Sequence, residues 1–157
     1  MKTIIVGIGN PILCDDGVGI HVAQQLKHHI TDPQVTIDEA FTGGMNLLDL
    51  LIGYERAILI DAVKTQDAKK GEVKRFSLQD MSSVHSCNPH DVSLLQALQL
   101  AENIGEKNIP RDITIIGILM KETPCEFGET LSSEIAEAVP KAVEMALTEL
   151  DKWNLNT

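Results

Sequence analysis

Apolar positions along this chain fall into short β-branched runs that alternate with longer stretches of helical spacing. Residues 3–8 are a β-branched apolar run bounded by glycine, the pattern of a strand buried on both faces. Residues 17–29 then place Val18, Val22 and Leu26 on one face, with Ala23 beside them, as a helix does. A second strand is expected over residues 34–38 and a second helix over 45–52. Residues 57–62 form the clearest buried strand, apolar on both sides until Asp61. Residues 71–76 alternate only loosely, which suits an edge strand. Residues 91–103 carry Val92, Leu95, Leu98 and Ala101 at helical spacing. A fifth strand follows over 112–119, then a long last helix over 132–153, where the Val139-Pro140 step predicts a kink or restart.

Strands separated by helices of this length imply right-handed crossovers and a sheet covered on both faces. The expected fold is therefore α/β, with three layers (α/β/α) and a twisted, mostly parallel sheet of about five strands. Nothing divides the chain, so residues 1–157 are read as one domain.

Composition sharpens this picture in three ways. Aromatics are only 3% of the chain, so the core must come from Ile, Leu, Val, Ala and Met. The net charge of −10 and the lack of a Lys/Arg stripe argue against a nucleic-acid partner. Cys14, Cys87 and Cys125 are an odd count without framework spacing, as expected of reduced thiols in a cytoplasmic protein. Neither a signal peptide nor a membrane span is expected: the apolar N-terminal run is short, and no run reaches the ~20 residues a span needs.

In parallel sheets of this kind ligands sit outside the carboxyl ends of the strands. Three segments reach that edge: the turn from Gly7 to Gly19, the strand end at Asp61, and Cys87-Asn88-Pro89-His90 before a helix. The first turn is not a dinucleotide fingerprint, because the position that needs the third glycine is Ile12. Two adjacent carboxylates, Asp15 and Asp16, would also oppose a pyrophosphate. Either one could cap the following helix, leaving the other to face the crevice. Asp61 closes an apolar strand, where a carboxylate is costly unless a donor or cation meets it. His90, at an expected helix start, favours the neutral imidazole that binds metals, although a lone histidine is more often structural.

Together Asp16, Asp61 and His90 suit a divalent transition ion such as Zn²⁺ or Ni²⁺ and would leave coordination positions open. Cys87 and His90 also form a Cys-x-x-His pair, a weaker basis for a structural zinc site. No Ser or Cys is placed beside a base as a nucleophile.

An ordered series of motifs runs along nearly the whole chain, beginning with Gly7-x-Gly9-Asn10-Pro11-x-x-x-Asp15-Asp16-Gly17-x-Gly19. It continues through Thr42-Gly43-Gly44-Met45, Gly53-Tyr54-Glu55-Arg56, Ile60-Asp61-Ala62 and Pro89-His90. Ile115-Ile116-Gly117-Ile118 and Glu126-Phe127-Gly128-x-x-Leu131-Ser132-x-Glu134 complete it. In order and spacing the series resembles the [NiFe]-hydrogenase maturation endopeptidases. The resemblance implies an endopeptidase that removes the C-terminal extension of the hydrogenase large-subunit precursor after nickel insertion. It places the metal-contacting positions on Asp16, Asp61 and His90, and leaves Asp15 as the cap. The implied ion is nickel, that of the substrate, with zinc or another divalent ion resident in the enzyme as the alternative. The implied partner is the precursor, with the protein itself acting as a monomer. Many relatives carry Asp-Gly-Gly-Thr where this chain has Glu39-Ala40-Phe41-Thr42, so Glu39 stands only as a candidate catalytic or substrate contact. A non-cleaving nickel-sensing chaperone is the alternative from another class, and a small-molecule hydrolase a third reading.

Overall fold

A computed structural model describes residues 2–10, 14–41, 45–64, 69–77, 85–86, 92–120, 128 and 130–155. Strand β1 (Thr3–Ile8) leads through a 3-10 turn at Cys14–Gly17 into helix α1 (Val18–His29). Strand β2 (Val35–Ala40), helix α2 (Met45–Leu51) and strand β3 (Arg56–Lys64) follow. The remaining elements are β4 (Val73–Ser77), β5 (His85–Ser86), α3 (Val92–Asn103), β6 (Asp112–Met120) and α4 (Ser133–Leu155).

The sheet order is β2-β1-β3-β6-β4, with β5 paired to β3 alone. Strands β2, β1, β3 and β6 run parallel, while β4 is an antiparallel edge against β6. The expected α/β architecture is thus present. Its edge strand lies where the loose alternation of residues 71–76 put it.

Alternation along the central strands divides the interior into two cores. On one face Ile5, Ile58, Ile60 and Ile116 meet Val18, Val22 and Leu26 of α1 and Ile135, Ala138 and Ala142 of α4. On the other, Ile4, Val6, Leu59 and Ile115 meet Leu47, Leu48 and Leu51 of α2 and Leu98 and Ala101 of α3. Because both faces are covered, β1 and β3 read as unbroken apolar runs. Each fully buried Ile or Leu contributes about 1.5–3 kcal/mol, so these two layers supply most of the favourable burial.

Helix α4 runs unbroken through Pro140. The expected restart does not occur, because Ala, Val, Leu and Met of its long apolar stripe keep packing against the sheet on both sides of the proline. Glu149 carries a charge into this interface. Glu149 is only 4% exposed and receives a two-pronged contact from Arg75 of β4, with Nη2 to Oε1 at 2.8 Å and Nε to Oε2 at 3.0 Å. The Thr114 hydroxyl donates to the same carboxylate at 3.2 Å. Burial opposes ionisation of Glu149, but Arg75, Thr114 and Lys152 outweigh it and hold the carboxyl below its usual value.

Among the described residues no helix is long and apolar enough to cross a membrane.

Candidate active site

Glycines let the backbone pack closely at the carboxyl edge of the sheet. A Cβ on Gly19, in the first turn of α1, would overlap the carbonyl oxygens of Ile8 and Ile60. A Cβ on Gly7 would strike the Gly19 carbonyl and lie 2.7 Å from the Ala23 methyl. Gly9 in turn backs directly onto the Asp16 carbonyl. With no side chain between them, the 3-10 turn and α1 lie flush on β1 and β3. This close approach is the physical content of the Gly-x-Gly spacings at both ends of the turn.

The same approach sets the two carboxylates. Asp16 is half-buried on the 3-10 turn, and its Oδ2 accepts the Asn10 N–H at 3.0 Å. The turn touches β3, the strand that carries Asp61. Asp61 is 2% exposed, and its Oδ1 accepts the Ala62 N–H at 2.8 Å. An anion this deep is sustained only by donors or a cation, since desolvating a carboxylate costs several kcal/mol.

Strand β1 pairs with β3 only as far as Gly7 opposite Ile60. Beyond that point β5 takes its place, with Ser86 opposite Val63 and His85 opposite Lys64. The chain therefore returns to the end of β3, two residues past Asp61, just before the segment that holds His90. His90 itself, with Cys87 and Cys125, lies outside the described residues. Among the described residues no three His, Cys, Asp or Glu side chains group as a metal site.

Asp15 does not cap α1 as expected. The 3-10 turn intervenes, Gly17 occupies the cap position, and no side chain bonds to that helix end. Asp15 reaches instead to Ser132, 117 residues away, accepting the backbone N–H at 2.7 Å and the hydroxyl at 2.9 Å. Lys70 Nζ stands 3.5 Å from its Oδ2. Ser132 immediately precedes α4 and accepts the first helical bond, from Ala136 N–H. Asp15 thus satisfies an open donor at the start of α4, the service a glutamate inside the helix gives in a capping box.

Glu39 sits on the edge strand, where Lys27 of α1 approaches its Oε1 at 3.4 Å. It lies in line with Gly7 and, through Gly7, with Ile60 across the sheet, so it shares their face. Asp61, the next residue along β3, points to the opposite face. The described structure therefore brings Asp16 and Asp61 to adjoining elements and leaves Glu39 apart from Asp61.

A family model described as hydrogenase maturation protease matches residues 20–149. The chain belongs to the hydrogenase maturation protease family. A Methanocaldococcus jannaschii protein that carries the name hydrogenase maturation protease is 31% identical over 154 residues, 95% of this chain and 96% of that one. The hydrogenase 2 maturation protease of Escherichia coli is 23% identical over 153 residues, 96% of this chain and 91% of that one. Among solved structures, the hydrogenase maturating endopeptidase HybD from E. coli superposes with a TM-score of 0.79 at 22% identity, covering 97% of this chain and 93% of that one. The [NiFe] hydrogenase maturation protease HybD from Thermococcus kodakarensis gives 0.71 at 28% identity, covering 94% and 98%.

Within this maturation protease fold, Ser132 and Lys70 were not singled out by sequence pattern as partners of Asp15. Ser132 does stand in the Leu131-Ser132-x-Glu134 motif, and that was the available signal. Lys70 had none, because its partner is fixed only when the turn before β4 packs on α4.

Proposed function

We propose that this protein is the endopeptidase that removes the C-terminal extension of a [NiFe]-hydrogenase large-subunit precursor once nickel is in place. The observation that carries the reading is Asp61, a carboxylate 2% exposed on β3, the strand that touches the turn presenting Asp16, in a chain of this family. Relatives named as hydrogenase maturation proteases support the same substrate.

In this reading Asp16, Asp61 and His90 engage the nickel carried by the precursor. The donor set fits such an ion: two carboxylates and one imidazole are borderline-hard ligands that leave positions for the substrate's own groups. A crevice carboxylate then assists proton transfer as water adds to the scissile carbonyl carbon, the C–N bond breaks and the amine departs protonated. The protein acts in the cytoplasm as a monomer, with the precursor as its partner.

Replacing Asp61 or His90 tests the assignment. Asp61→Ala and His90→Ala are expected to lose processing of nickel-loaded precursor by at least about a hundredfold, with circular dichroism unchanged. Normal cleavage by His90→Ala overturns the site as assigned.

A further inference from the structure

Four large apolar side chains are exposed among the described residues: Phe41, Ile52, Leu100 and Ile104. Three of them belong to the other end of the molecule. Ile52 follows the last turn of α2, and Leu100 and Ile104 lie on and just past the last turn of α3. Both helices run back toward the amino edge of the sheet, and Gly53 N–H is bonded there to the Asn108 carbonyl at 2.8 Å. Of the four, Phe41 alone stands at the carboxyl edge, the edge to which the turn presenting Asp16 belongs.

Its position is fixed by a short chain of bonds. Phe41 follows Ala40, the last residue of β2, whose carbonyl accepts the Gly9 N–H at 3.0 Å. Gly9 precedes Asn10, whose N–H holds the Asp16 carboxylate at 3.0 Å. Phe41 is thus two backbone steps and one hydrogen bond from a residue that grips Asp16. At 58% exposure it keeps most of an aromatic ring in water, although the chain has few aromatics and Tyr54, Phe76 and Trp153 are all packed against the cores. Two N–H groups on the neighbouring outer edge of β2 are already taken. Its Val35 N–H is bonded to the Asp32 carbonyl at 3.1 Å and its Glu39 N–H to the Asp38 carboxylate at 2.8 Å.

We infer that Phe41 is a specificity contact, against which the precursor packs an apolar side chain from the segment flanking the scissile bond. This rests on the endopeptidase reading above. An aromatic at the margin of a binding cleft supplies large contact area with little side-chain freedom to lose. Because Phe41 follows β2, which β1 separates from β3 and its Asp61, the ring acts on binding and leaves the chemical step alone.

The test is steady-state processing of nickel-loaded precursor by the wild type and by Phe41→Ala, Phe41→Leu and Ile104→Ala. The inference predicts that Phe41→Ala raises KM about tenfold with kcat within about twofold, and that Phe41→Leu recovers most of the loss. Ile104→Ala, at the opposite edge, is expected to match the wild type. All three variants should keep the wild-type melting temperature, because neither side chain is buried. A KM for Phe41→Ala within about twofold of wild type overturns the inference, as does a fall in kcat alone or a loss that tracks a lower melting temperature. Absence of cleavage by the wild type is a separate outcome, which removes the endopeptidase reading on which the inference stands.

Discussion

Asp15 and Ser132 are joined by two hydrogen bonds, 2.7 Å from the Ser132 backbone N–H and 2.9 Å from its hydroxyl, across 117 residues of chain. The pair locks the turn that presents Asp16 to the first turn of α4. A carboxylate accepting two donors in a half-buried setting is worth about 1.5–3 kcal/mol. Asp15→Ala is expected to lower stability by about 2 kcal/mol, and Ser132→Ala by about 1 kcal/mol, since it leaves the backbone bond in place. In a double-mutant cycle read by urea denaturation the two losses should fall short of additive. Full additivity would mean that the bonds contribute nothing as a pair.

The glycines of the first turn make a sharper prediction. A methyl at Gly19 meets two backbone carbonyls, and neither can move without shifting β1 or β3. Gly19→Ala is expected to cost at least about 3 kcal/mol, at or beyond the upper end of ordinary overpacking. Gly105, by contrast, has a φ of +85° and open space around it. Gly105→Ala therefore bears only the left-handed backbone cost of about 1–2 kcal/mol. Thermal unfolding of both variants checks the order, and equal losses would contradict it.

The buried Glu149 makes stability depend on acid. Its carboxyl is held below the usual value of 4.5 in the folded state, so its stabilising contribution is complete above that pH. The contribution is lost as pH falls through the depressed folded value, because protonation then becomes easier in the unfolded chain. Glu149→Gln is expected to lose less stability than the wild type between about pH 5 and 3, measured by denaturant midpoints. The pair is also asymmetric: Arg75 is half exposed and Glu149 is not. Arg75→Ala strands a buried charge and should cost about 3 kcal/mol, whereas Glu149→Ala lets Arg75 turn to water and should cost less.

Much of the fold was legible because both faces of the sheet are covered. Residues 3–8 and 57–62 could hardly be anything but buried strands, and β1 begins and ends where its apolar run does. Strand β3 runs further, to Lys64, because β6 pairs with it throughout and β5 with its last two residues. A two-residue strand has no period to read, so β5 was invisible until its partner was in place. The 3-10 turn at Cys14–Gly17 was missed for a related reason: its geometry follows from the packing of Gly9 and Gly19, not from local propensity. The adjacent acids of that turn were separable in principle but not in detail. That one would serve a helix end was readable; that the helix would be α4 depended on a residue 117 positions away. Pro140 shows the opposite error, a local breaker overridden by the apolar stripe on either side of it. Asp61 was the most informative single residue, because a carboxylate inside an apolar run demands a reason.

We propose that this protein cuts a hydrogenase large-subunit precursor and that nickel in the precursor licenses the cut. The direct measurement is intact-mass analysis of nickel-loaded and nickel-free precursor after incubation with the purified protein. Loss of a short C-terminal peptide is expected from the nickel-loaded form alone. Equal cleavage of both forms would contradict the role of nickel, and stable binding without any loss of mass would contradict the protease.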